Sequence, residues 1–570
     1  MAYVLADHII SPLGNTSEAN YLAVKAGKTG LRSFDAGSRG VAEPFVASLL
    51  SEEQKAVLPL KEDWSYFERL AYASARQAIL RSGIEMSQAN VCLILSTTKG
   101  SIESLGLASD SESKPYLGTS AFKISRELGI VAPPIVVCNA CISGLSALIL
   151  ASRLLEEGKY DYAVVCGADV PDRFVISGFQ SLKALSTQPC RPFDMERFGL
   201  NLGEAAATLV LSRNIPAAKG GADSSCLWQI GPGFVKNDAF HISAPSKTGE
   251  GLYACLQAVE DYVDLADLAF VNAHGTATLF NDQMESIAIQ RVGLTDVPVN
   301  ALKGYFGHTL GAAGILETIV SMKAIDDHTI LGTRGFGELG VSGKIDVVSS
   351  NRTTDKHSFI KMLSGFGGCN AAMVVTRSEL APPKEVYASK HLQKTHHVRI
   401  CPTGVEVDGA SIEVEMTPEH PDMLTALYKQ YIDNYPKYYK MDKLCRLGLV
   451  ASELLDKLAP SQDRAIVLFN HSSSIYSDHR YLDSIVDKAN YYPSPSIFVY
   501  TLPNIVTGEI AIRKGWHSET SFYVLAEKNE SLMEQVLQAT FSDIAVKQAL
   551  TGWIDYEDEA HYEADLYLVE

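Results

Sequence analysis

Short apolar segments alternate with helix-like segments along the first two thirds of the chain, and this alternation constrains the fold more than any other feature. An amphipathic helix is predicted over 67–82, and a second helix over about 142–157. The predicted buried strands between them are VCLILS (91–96), IVVCN (135–139) and AVVCGAD (163–169). Strands that are apolar on both faces and separated by helices are typical of a parallel sheet covered on both sides. The same rhythm continues through 213–378, so we predict an α/β fold.

The last part of the chain repeats the order of the first. AIVLFNHSSS (465–474) resembles VCLILSTTKG (91–100) at a shift of 374 residues, counted from 91 to 465. Such internal similarity indicates a duplicated structural unit. A shift of 385 residues, which we assign to the later part of the repeat, places Ala526 opposite Cys141.

The repeat divides the chain into four parts. Residues 379–395 are polar and contain Pro-Pro, which predicts a linker. The predicted parts are 1–212, 213–378, the linker 379–395, and 396–570. The last part copies only the first of the two preceding parts, so it lacks any counterpart of 213–378.

Composition excludes some functions. The net charge of −18 argues against a nucleic-acid partner, which needs a basic face. The first residues, MAYVLADHIISPLG, lack the pattern of a secretory signal, and we find no apolar run of about 18 residues that would span a membrane. Ten cysteines without a regular spacing fit a reducing cytoplasm.

The segment VVCNACISG (136–144) carries the first candidate for chemistry. Cys141 follows a predicted strand and begins a helix rich in small residues. The positive end of a helix favours a thiolate, and a sharp strand-to-helix turn exposes a nucleophile. Taken alone, a buried structural thiol is the more common case. Cys138 and Cys141 could also form a redox pair, whereas a zinc site lacks a second ligand pair.

Two histidines lie on glycine-rich segments further along the chain. His274 ends a predicted strand in NAHGTATLFND (272–282), at the kind of loop where α/β sites collect catalytic groups. His308 precedes a Gly/Ala-rich helix in KGYFGHTLGAAGILE (303–317), with Lys303 before it and Glu317 after it. A core histidine and a tight helix-packing surface are the structural alternatives for these two segments.

A fourth segment, SGFGGCNAA (364–372), predicts a turn with Phe366 at its centre. The glycines imply unusual backbone angles. A tight turn with one packed aromatic side chain is the alternative interpretation.

The joint occurrence of these segments, in this order, resembles the β-ketoacyl synthases of fatty-acid and polyketide assembly, members of the thiolase-like superfamily. The resemblance covers residues 1–378 and includes SPLGNT (11–16) and RPFDMERFGLNLGEAA (191–206). Gly304 and Cys369 depart from the family pattern, which often has Ser and Thr there. The resemblance implies two related halves stacked in α-β-α-β-α layers, one bringing the cysteine and the other both histidines.

The resemblance also implies a mechanism. Cys141 would take an acyl group from acyl-ACP, where ACP is the acyl carrier protein, and the N–H groups of Cys141 and Phe366 would form an oxyanion hole. His274 and His308 would stabilise the enolate that malonyl-ACP forms on losing CO₂. Lys303 would order the site, Glu317 would support it, and Phe366 would act as a gate. Neither a metal nor a diffusible cofactor is expected, because the phosphopantetheine of ACP carries the substrates.

Residues 396–570 resemble a truncated chain-length factor, the inactive partner of some heterodimeric synthases. This implies a homodimer or an intrachain pseudo-heterodimer, and a product of the aryl polyene or flexirubin type. Two alternatives remain: the whole chain could be a non-catalytic chain-length or scaffold partner, or a malonyl decarboxylase without condensation.

Overall fold

The computed structural model of the chain describes residues 2–87, 89–106, 115–214, 226–379, 391–487 and 491–570. In the first part, residues 2–212, strands and helices alternate as predicted. The strands are β1 (Ala2–Ile10), β2 (Arg32–Phe34), β3 (Phe45–Ser48), β4 (Val91–Ser96), β5 (Ile135–Val137), β6 (Tyr162–Asp169), β7 (Leu202–Gly203) and β8 (Ala205–Ser212). The helices are α1 (Ser17–Lys25), α2 (Glu52–Ala56), α3 (Tyr66–Ser82), α4 (Leu117–Glu127), α5 (Ser143–Glu156) and α6 (Arg173–Ser181).

The second part, residues 226–379, has the same general order. Its strands are β9 (Cys226–Asn237), β10 (Leu268–Asn272), β11 (Pro298–Asn300), β12 (Thr329–Ile330), β13 (Asp346–Val347), β14 (Arg352–Thr353), β15 (Ser358–Ser364) and β16 (Cys369–Glu379). Its helices are α7 (Glu250–Glu260), α8 (Leu279–Arg291), α9 (Lys303–Phe306) and α10 (Ala313–Asp326).

The third part, which corresponds to the predicted unit 396–570 after the linker, covers residues 391–570 apart from 488–490. Its strands are β17 (Lys394–Cys401), β18 (Gly404–Val407), β19 (Ala410–Ile412), β20 (Ala465–Asn470), β21 (Thr520–Val524), β22 (Ala549–Tyr556) and β23 (Tyr562–Val569). Its helices are α11 (Met423–Tyr431), α12 (Lys443–Leu458), α13 (Ile475–Val486), α14 (Pro495–Val499), α15 (Ile505–Lys514) and α16 (Glu530–Thr540).

Local sequence signals explain several element boundaries. Ser65 and Glu68 form a capping box at the start of α3, each bonding the other's backbone N–H, and Gly83 ends the helix with a φ of 68°. Asp442 caps α12 in the third part by accepting a hydrogen bond from the N–H of Cys445. The two helices therefore begin at side chains suited to N-terminal capping, as their similar sequences suggest.

The first sheet is mixed rather than fully parallel. Strand β4 pairs in parallel with β5 and with β6, whereas β6–β8 and β8–β1 are antiparallel. The second part builds a sheet in the order β9-β16-β15-β10-β11-β13, again with a parallel centre and antiparallel strands on one side. The predicted α/β class is confirmed, but alternation of strands and helices did not reveal the antiparallel pairs.

Helices α5 and α10 pack against each other where the first two parts meet. Glycines permit this approach: a Cβ on Gly144 would lie 2.7 Å from the carbonyl oxygen of Gly311, and one on Gly314 would lie 2.3 Å from the N atom of Leu145. The space beside Gly144 is thus filled by the second part.

The third part extends the first sheet across its β5 edge. Its strands follow the order β21-β20-β22-β23-β17, which matches β5-β4-β6-β8-β1 of the first part. Tyr523 and Val524 of β21 pair antiparallel with Val137 and Val136 of β5. One continuous sheet therefore joins a strand–helix unit to its internal copy.

Strand register corrects the predicted position opposite Cys141. In the first part, Val91 of β4 pairs with Tyr162 of β6. In the internal copy, Ala465 of β20 pairs with Ala549 of β22. Strand β22 therefore corresponds to β6 at a shift of 387 residues, from 162 to 549. The same shift takes the first residue of α5, at 143, to the first residue of α16, at 530. The residue opposite Cys141 is therefore Lys528, and the prediction of Ala526 was wrong by two positions.

Three buried ion pairs hold the third part against the first two. They are Lys99–Asp478 at 2.5 Å, Arg153–Glu519 at 2.8 Å and Lys236–Asp543 at 2.7 Å. In each pair the cation belongs to residues 2–379 and the anion to residues 391–570. Because a buried charge without its partner is strongly unfavourable, these pairs specify how the two surfaces dock.

The predicted linker boundaries need correction. Residue 379 belongs to β16, where it pairs with β9, and residue 394 begins β17, where it pairs with β23. Residues 380–390, the centre of the predicted linker, lie outside the described residues. Within the described ranges, none of the helices is long and apolar enough to cross a membrane.

Candidate active site

Cys141 lies on a sharp turn between β5 and α5. A single helical turn over Ala140–Ile142 precedes the helix, and Ala140 has a φ of 47°, which L-residues rarely adopt. Ser143 stabilises the turn, because its hydroxyl donates to the carbonyl of Ala140 and accepts from the N–H of Asn139. The structure therefore places Cys141 on a nucleophile-type turn, with its side chain almost completely buried.

The thiol of Cys141 is neutral near pH 7. Burial raises its pKa to about 12, although Lys303 and the backbone N–H groups of Cys141 and Phe366 act in the opposite direction. The helix N-terminus led us to expect a thiolate, but withdrawal from water outweighs that effect. Cys138, the other half of the CxxC motif, is a separate free thiol whose Sγ lies 3.7 Å from the carbonyl oxygen of Thr98.

Glu285 holds the loop that carries His274. Its carboxylate accepts the backbone N–H of His274 at 2.7 Å and that of Gly275 at 2.8 Å. The Nδ1 atom of His274 is buried and has no hydrogen-bond partner among the described residues. Burial lowers the pKa of His274 well below 6.5, and the charges of Lys303 and His308 lower it further, so the ring is neutral near pH 7.

The tautomer of His308 follows from its backbone. The N–H of Leu310 donates to Nδ1 at 3.3 Å, so Nδ1 is the acceptor and a neutral ring carries its proton on Nε2. Burial, and then Lys303, lowers the pKa of His308 well below 6.5. The Nε2 atom is buried without a partner among the described residues, so its N–H is free to bind a substrate oxygen.

The structure brings the three predicted side chains together. The rings of His274 and His308 have centroids 5.0 Å apart and lie edge to face. The Sγ atom of Cys141 and one ring nitrogen of each histidine all lie within 4.8 Å of one another. This set could also bind zinc, but the ammonium groups of Lys303 and Lys361 nearby would disfavour a divalent cation.

Lys303 and Glu317 also meet, together with a residue that the sequence reasoning missed. Glu317 accepts Lys303 Nζ at 2.9 Å and Lys361 Nζ at 2.7 Å, and all three side chains are buried. Burial raises the pKa of Glu317, but the two lysines bring it below its usual value. The cluster therefore carries net positive charge behind the histidines, which would favour negative charge in the pocket.

Phe366 closes the other side of the site. Its ring stacks on that of Phe179, with centroids 6.2 Å apart. A cavity of about 490 Å³ approaches Cys141, His274 and His308 from the surface. A smaller pocket of about 20 Å³ continues behind Cys141 and Phe366, and its lining includes residues of the third part: Phe498, Thr501 and Leu502.

Three further residues shape the site without having been predicted. Lys361 has a detectable signal, since it is the one charged residue in the apolar strand SFIKMLS. Asp169 ends a predicted strand and accepts hydrogen bonds from Thr98 and from the N–H of Gly311, close to His308. Asn504 donates to the carbonyl of Phe366 from the third part, and no local pattern distinguishes it.

Comparisons with known proteins agree with this geometry. The model of the beta-ketoacyl synthase N-terminal domain matches residues 8–217, and that of the C-terminal domain matches residues 230–336. The 3-oxoacyl-[acyl-carrier-protein] synthase 2 of Rhizobium meliloti is 35% identical over 275 residues, which are 46% of this chain and 65% of that one. The enzyme of the same name from Coxiella burnetii is 29% identical over 403 residues, 65% of this chain and 96% of that one.

A solved structure extends the likeness in fold to the whole chain. The PfaC keto synthase-chain length factor superposes with a TM-score of 0.76 and covers 100% of this chain and 78% of its own, at 14% identity. The fold and the pocket thus define a thiolase-like condensing enzyme of the acyltransferase type. The chain belongs to the β-ketoacyl synthase family.

Proposed function

We propose that this protein is a 3-oxoacyl-[acyl-carrier-protein] synthase that condenses malonyl-ACP with an acyl chain held on Cys141. The observation that carries the proposal is the convergence of Cys141, His274 and His308 on one buried pocket. The Sγ atom and one nitrogen of each imidazole ring lie within 4.8 Å of one another. The relatives named as synthases of this kind support the same assignment.

In the first step, Cys141 Sγ attacks the thioester carbonyl of acyl-ACP, and its proton leaves with the carrier thiol. A new C–S bond replaces the old one, which gives a covalent acyl-enzyme. The backbone N–H groups of Cys141 and Phe366 both lower the pKa of the thiol, and a Cβ added at Gly365 would lie 3.2 Å from the N atom of Cys141, so the two segments are in contact. We assign these N–H groups as donors to the oxygen of the tetrahedral intermediate. Such donors each contribute about 10²–10³ in rate.

In the second step, malonyl-ACP loses CO₂ and leaves an enolate. The Nε2–H of neutral His308 is oriented to hydrogen-bond its oxygen, and neutral His274 lies beside it. The enolate carbon then attacks the acyl-Cys141 carbonyl, and the C–S bond breaks to release the thiolate, which takes one proton from solvent to restore the thiol. Lys303 and Lys361 favour the transient negative charge. No metal or diffusible cofactor enters this scheme.

We further propose that residues 391–570 act as an internal chain-length factor, so that one chain forms a pseudo-heterodimer. The support is that β21 occupies the β5 edge and that Phe498, Thr501 and Leu502 line the pocket behind Cys141. An acyl chain that grows into this pocket would meet Phe498. An aryl polyene or flexirubin-type product remains the specific prediction for chain type.

The central experiment mixes the protein with acyl-ACP and malonyl-ACP and measures the products by mass spectrometry. A 3-oxoacyl-ACP supports the proposal, acetyl-ACP alone indicates a decarboxylase, and no product indicates a scaffold. The Cys141→Ala variant should form no acyl-enzyme. The variants His274→Ala and His308→Ala should still acylate Cys141 but lose condensation, and acyl-enzyme in the Cys141→Ala variant would refute the assignment of the nucleophile.

For the third part, Phe498→Ala should lengthen the products by opening the pocket, while Phe541→Ala, a buried aromatic of the same part in a different core, serves as the control. An unchanged product distribution in a folded Phe498→Ala variant would contradict the chain-length role without affecting the condensation proposal.

A further inference from the structure

The turn that carries Phe366 is held from two sides. From the second part, the carbonyl of Ile242 accepts the N–H of Gly367 at 2.7 Å. From the third part, Asn504 Nδ2 donates to the carbonyl of Phe366 at 2.8 Å. Gly508 packs so closely that an added Cβ would lie 2.5 Å from the carbonyl oxygen of Gly367. The candidate gate therefore lies between the synthase parts and the internal copy.

Among the described residues, the bond to Phe366 is the one short hydrogen bond that the side chain of Asn504 makes. It precedes the first residue of α15 and is 1% exposed, so its amide has been removed from water. Its Oδ1 atom has no hydrogen-bond partner among the described residues, and the contact of Nδ2 with Cys369 Sγ is long, at 3.8 Å. Burying an amide whose oxygen has no partner is unfavourable. The bond from Nδ2 to the Phe366 carbonyl is therefore the contact that offsets the cost of burying this side chain.

The bond to Phe366 acts on the geometry at Cys141. The Phe366 carbonyl accepts from Asn504 Nδ2 at 2.8 Å and from Cys369 Sγ at 3.3 Å, while the backbone N–H of Phe366 lowers the pKa of the Cys141 thiol. An added Cβ on Gly365 would lie 3.2 Å from the N atom of Cys141, so the turn has little space to shift on that side. Rotation of Phe366 about its backbone would move its N–H away from the position of a thioester oxygen.

A second connection joins the same turn to the third part. Asn237 Nδ2 donates to the carbonyl of Gly367 at 2.9 Å and to Thr520 Oγ1 at 3.0 Å. The N–H of Asn237 also donates to the carbonyl of His517, and the carbonyl of Asn237 bonds to Nδ1 of the His517 ring. The third part thus contacts the turn directly through Asn504 and indirectly through Asn237.

We propose that Asn504 is a positioning residue: from the internal copy, it fixes the backbone of Phe366 so that its N–H can stabilise the oxyanion formed when Cys141 is acylated. This inference rests on the proposed condensing function. It gives the third part a role in the acylation step, separate from lining the acyl pocket.

The test measures the rate at which Cys141 is acylated by a medium-chain acyl-pantetheine thioester, followed by intact mass. Asn504→Leu keeps the number and branching of the side-chain heavy atoms but removes the donor, so we expect a 10- to 100-fold slower rate, at most about the effect of deleting one oxyanion donor. The KM for the thioester should change little. Alkylation of Cys141 by iodoacetamide needs no oxyanion hole and should be unchanged. Asn434→Leu, the same change at an exposed position of the third part, should have no effect.

Asn504→Asp provides a readout that structural damage would not produce. A protonated carboxyl can donate its O–H to the Phe366 carbonyl, whereas a carboxylate repels it, so acylation should recover as the pH falls toward 5. The thiol of Cys369 contacts Asn504 Nδ2 at 3.8 Å, and burial raises its pKa well above 9.0, so it stays neutral over this range. The wild type and Asn504→Leu should lack this recovery.

The outcomes separate two failures. If wild-type Cys141 does not acylate, the proposed function is wrong. If it acylates but Asn504→Leu matches it within about twofold, or Asn504→Asp shows no recovery at low pH, only the positioning role is overturned.

Discussion

The buried ion pair between Arg153 and Glu519 gives a quantitative test of how the internal copy is attached. The two charges are 2.8 Å apart, and their side chains are 7% and 2% exposed. With an effective dielectric constant of about 20, their attraction is about 6 kcal/mol. In the Arg153→Met variant, the Glu519 carboxylate would keep, among the described residues, hydrogen bonds from Ser521 and Thr540 alone. We therefore expect a loss of about 3–5 kcal/mol, the usual result when one partner of a buried pair is removed.

The assay is hydrogen exchange of the backbone amides in β5 and β21 at increasing urea concentration, because these strands pair only while the copy is docked. Glu519→Leu should lower the free energy of opening about as much as Arg153→Met. The double variant should recover to within about 1 kcal/mol of the wild type, since an apolar pair can replace a buried ion pair. The two single effects would then be strongly non-additive.

The control is Arg291→Met, which removes an ion pair with Glu250 at the same N–O distance of 2.8 Å on the surface. A solvent-exposed pair contributes about 0–1 kcal/mol, so exchange in β5 should not change. Additive effects of Arg153→Met and Glu519→Leu, or a control as damaging as Arg153→Met, would refute the reasoning.

Two further predictions concern the site. A Cβ added at Gly178 would lie 2.0 Å from the ring of Phe498, so Gly178→Ala should displace that ring. The length distribution of the products, measured by mass spectrometry, should then change. An unchanged distribution would contradict the pocket assignment. The second prediction concerns Lys361, whose pKa burial lowers from 10.5 to about 8. Between these two pH values the unfolded protein holds a proton at Lys361 that the folded protein has lost. This group therefore makes the free energy of unfolding rise with pH in that range. Urea unfolding at pH 8 and pH 10 should show a smaller rise for Lys361→Met than for the wild type, and equal rises would contradict the shift.

The sequence predicted the three side chains that meet in the pocket because each has a local signal. Cys141 at a strand-to-helix turn, and His274 and His308 on glycine-rich segments, can be recognised from a few neighbouring residues. The α/β class was equally accessible from alternating apolar strands. The antiparallel strands and the β5–β21 pairing were not, because pairing depends on residues far apart in the chain.

The errors also have physical reasons. The helix N-terminus favours a thiolate at Cys141, but burial, which depends on three parts of the chain, raises the pKa of the thiol. The residue opposite Cys141 was misplaced because the similarity of the repeat is weak between its strands, whereas register fixes Lys528. Asn504 could not be found at all, since its role exists only where the third part meets Phe366.

The pairing of β5 with β21 makes a last prediction for a chain ended at residue 378. In the full protein, the N–H of Cys138 donates to the carbonyl of Phe522 at 3.0 Å, and Asn139 Oδ1 accepts the N–H of Phe522 at 2.7 Å. Truncation would leave these groups, three and two residues before Cys141, without partners at an exposed apolar strand edge. Such an edge pairs with another chain, so we expect self-association in sedimentation experiments and altered products. A monomeric truncated protein with the original product spectrum would show that the internal copy is dispensable for both the edge and the site.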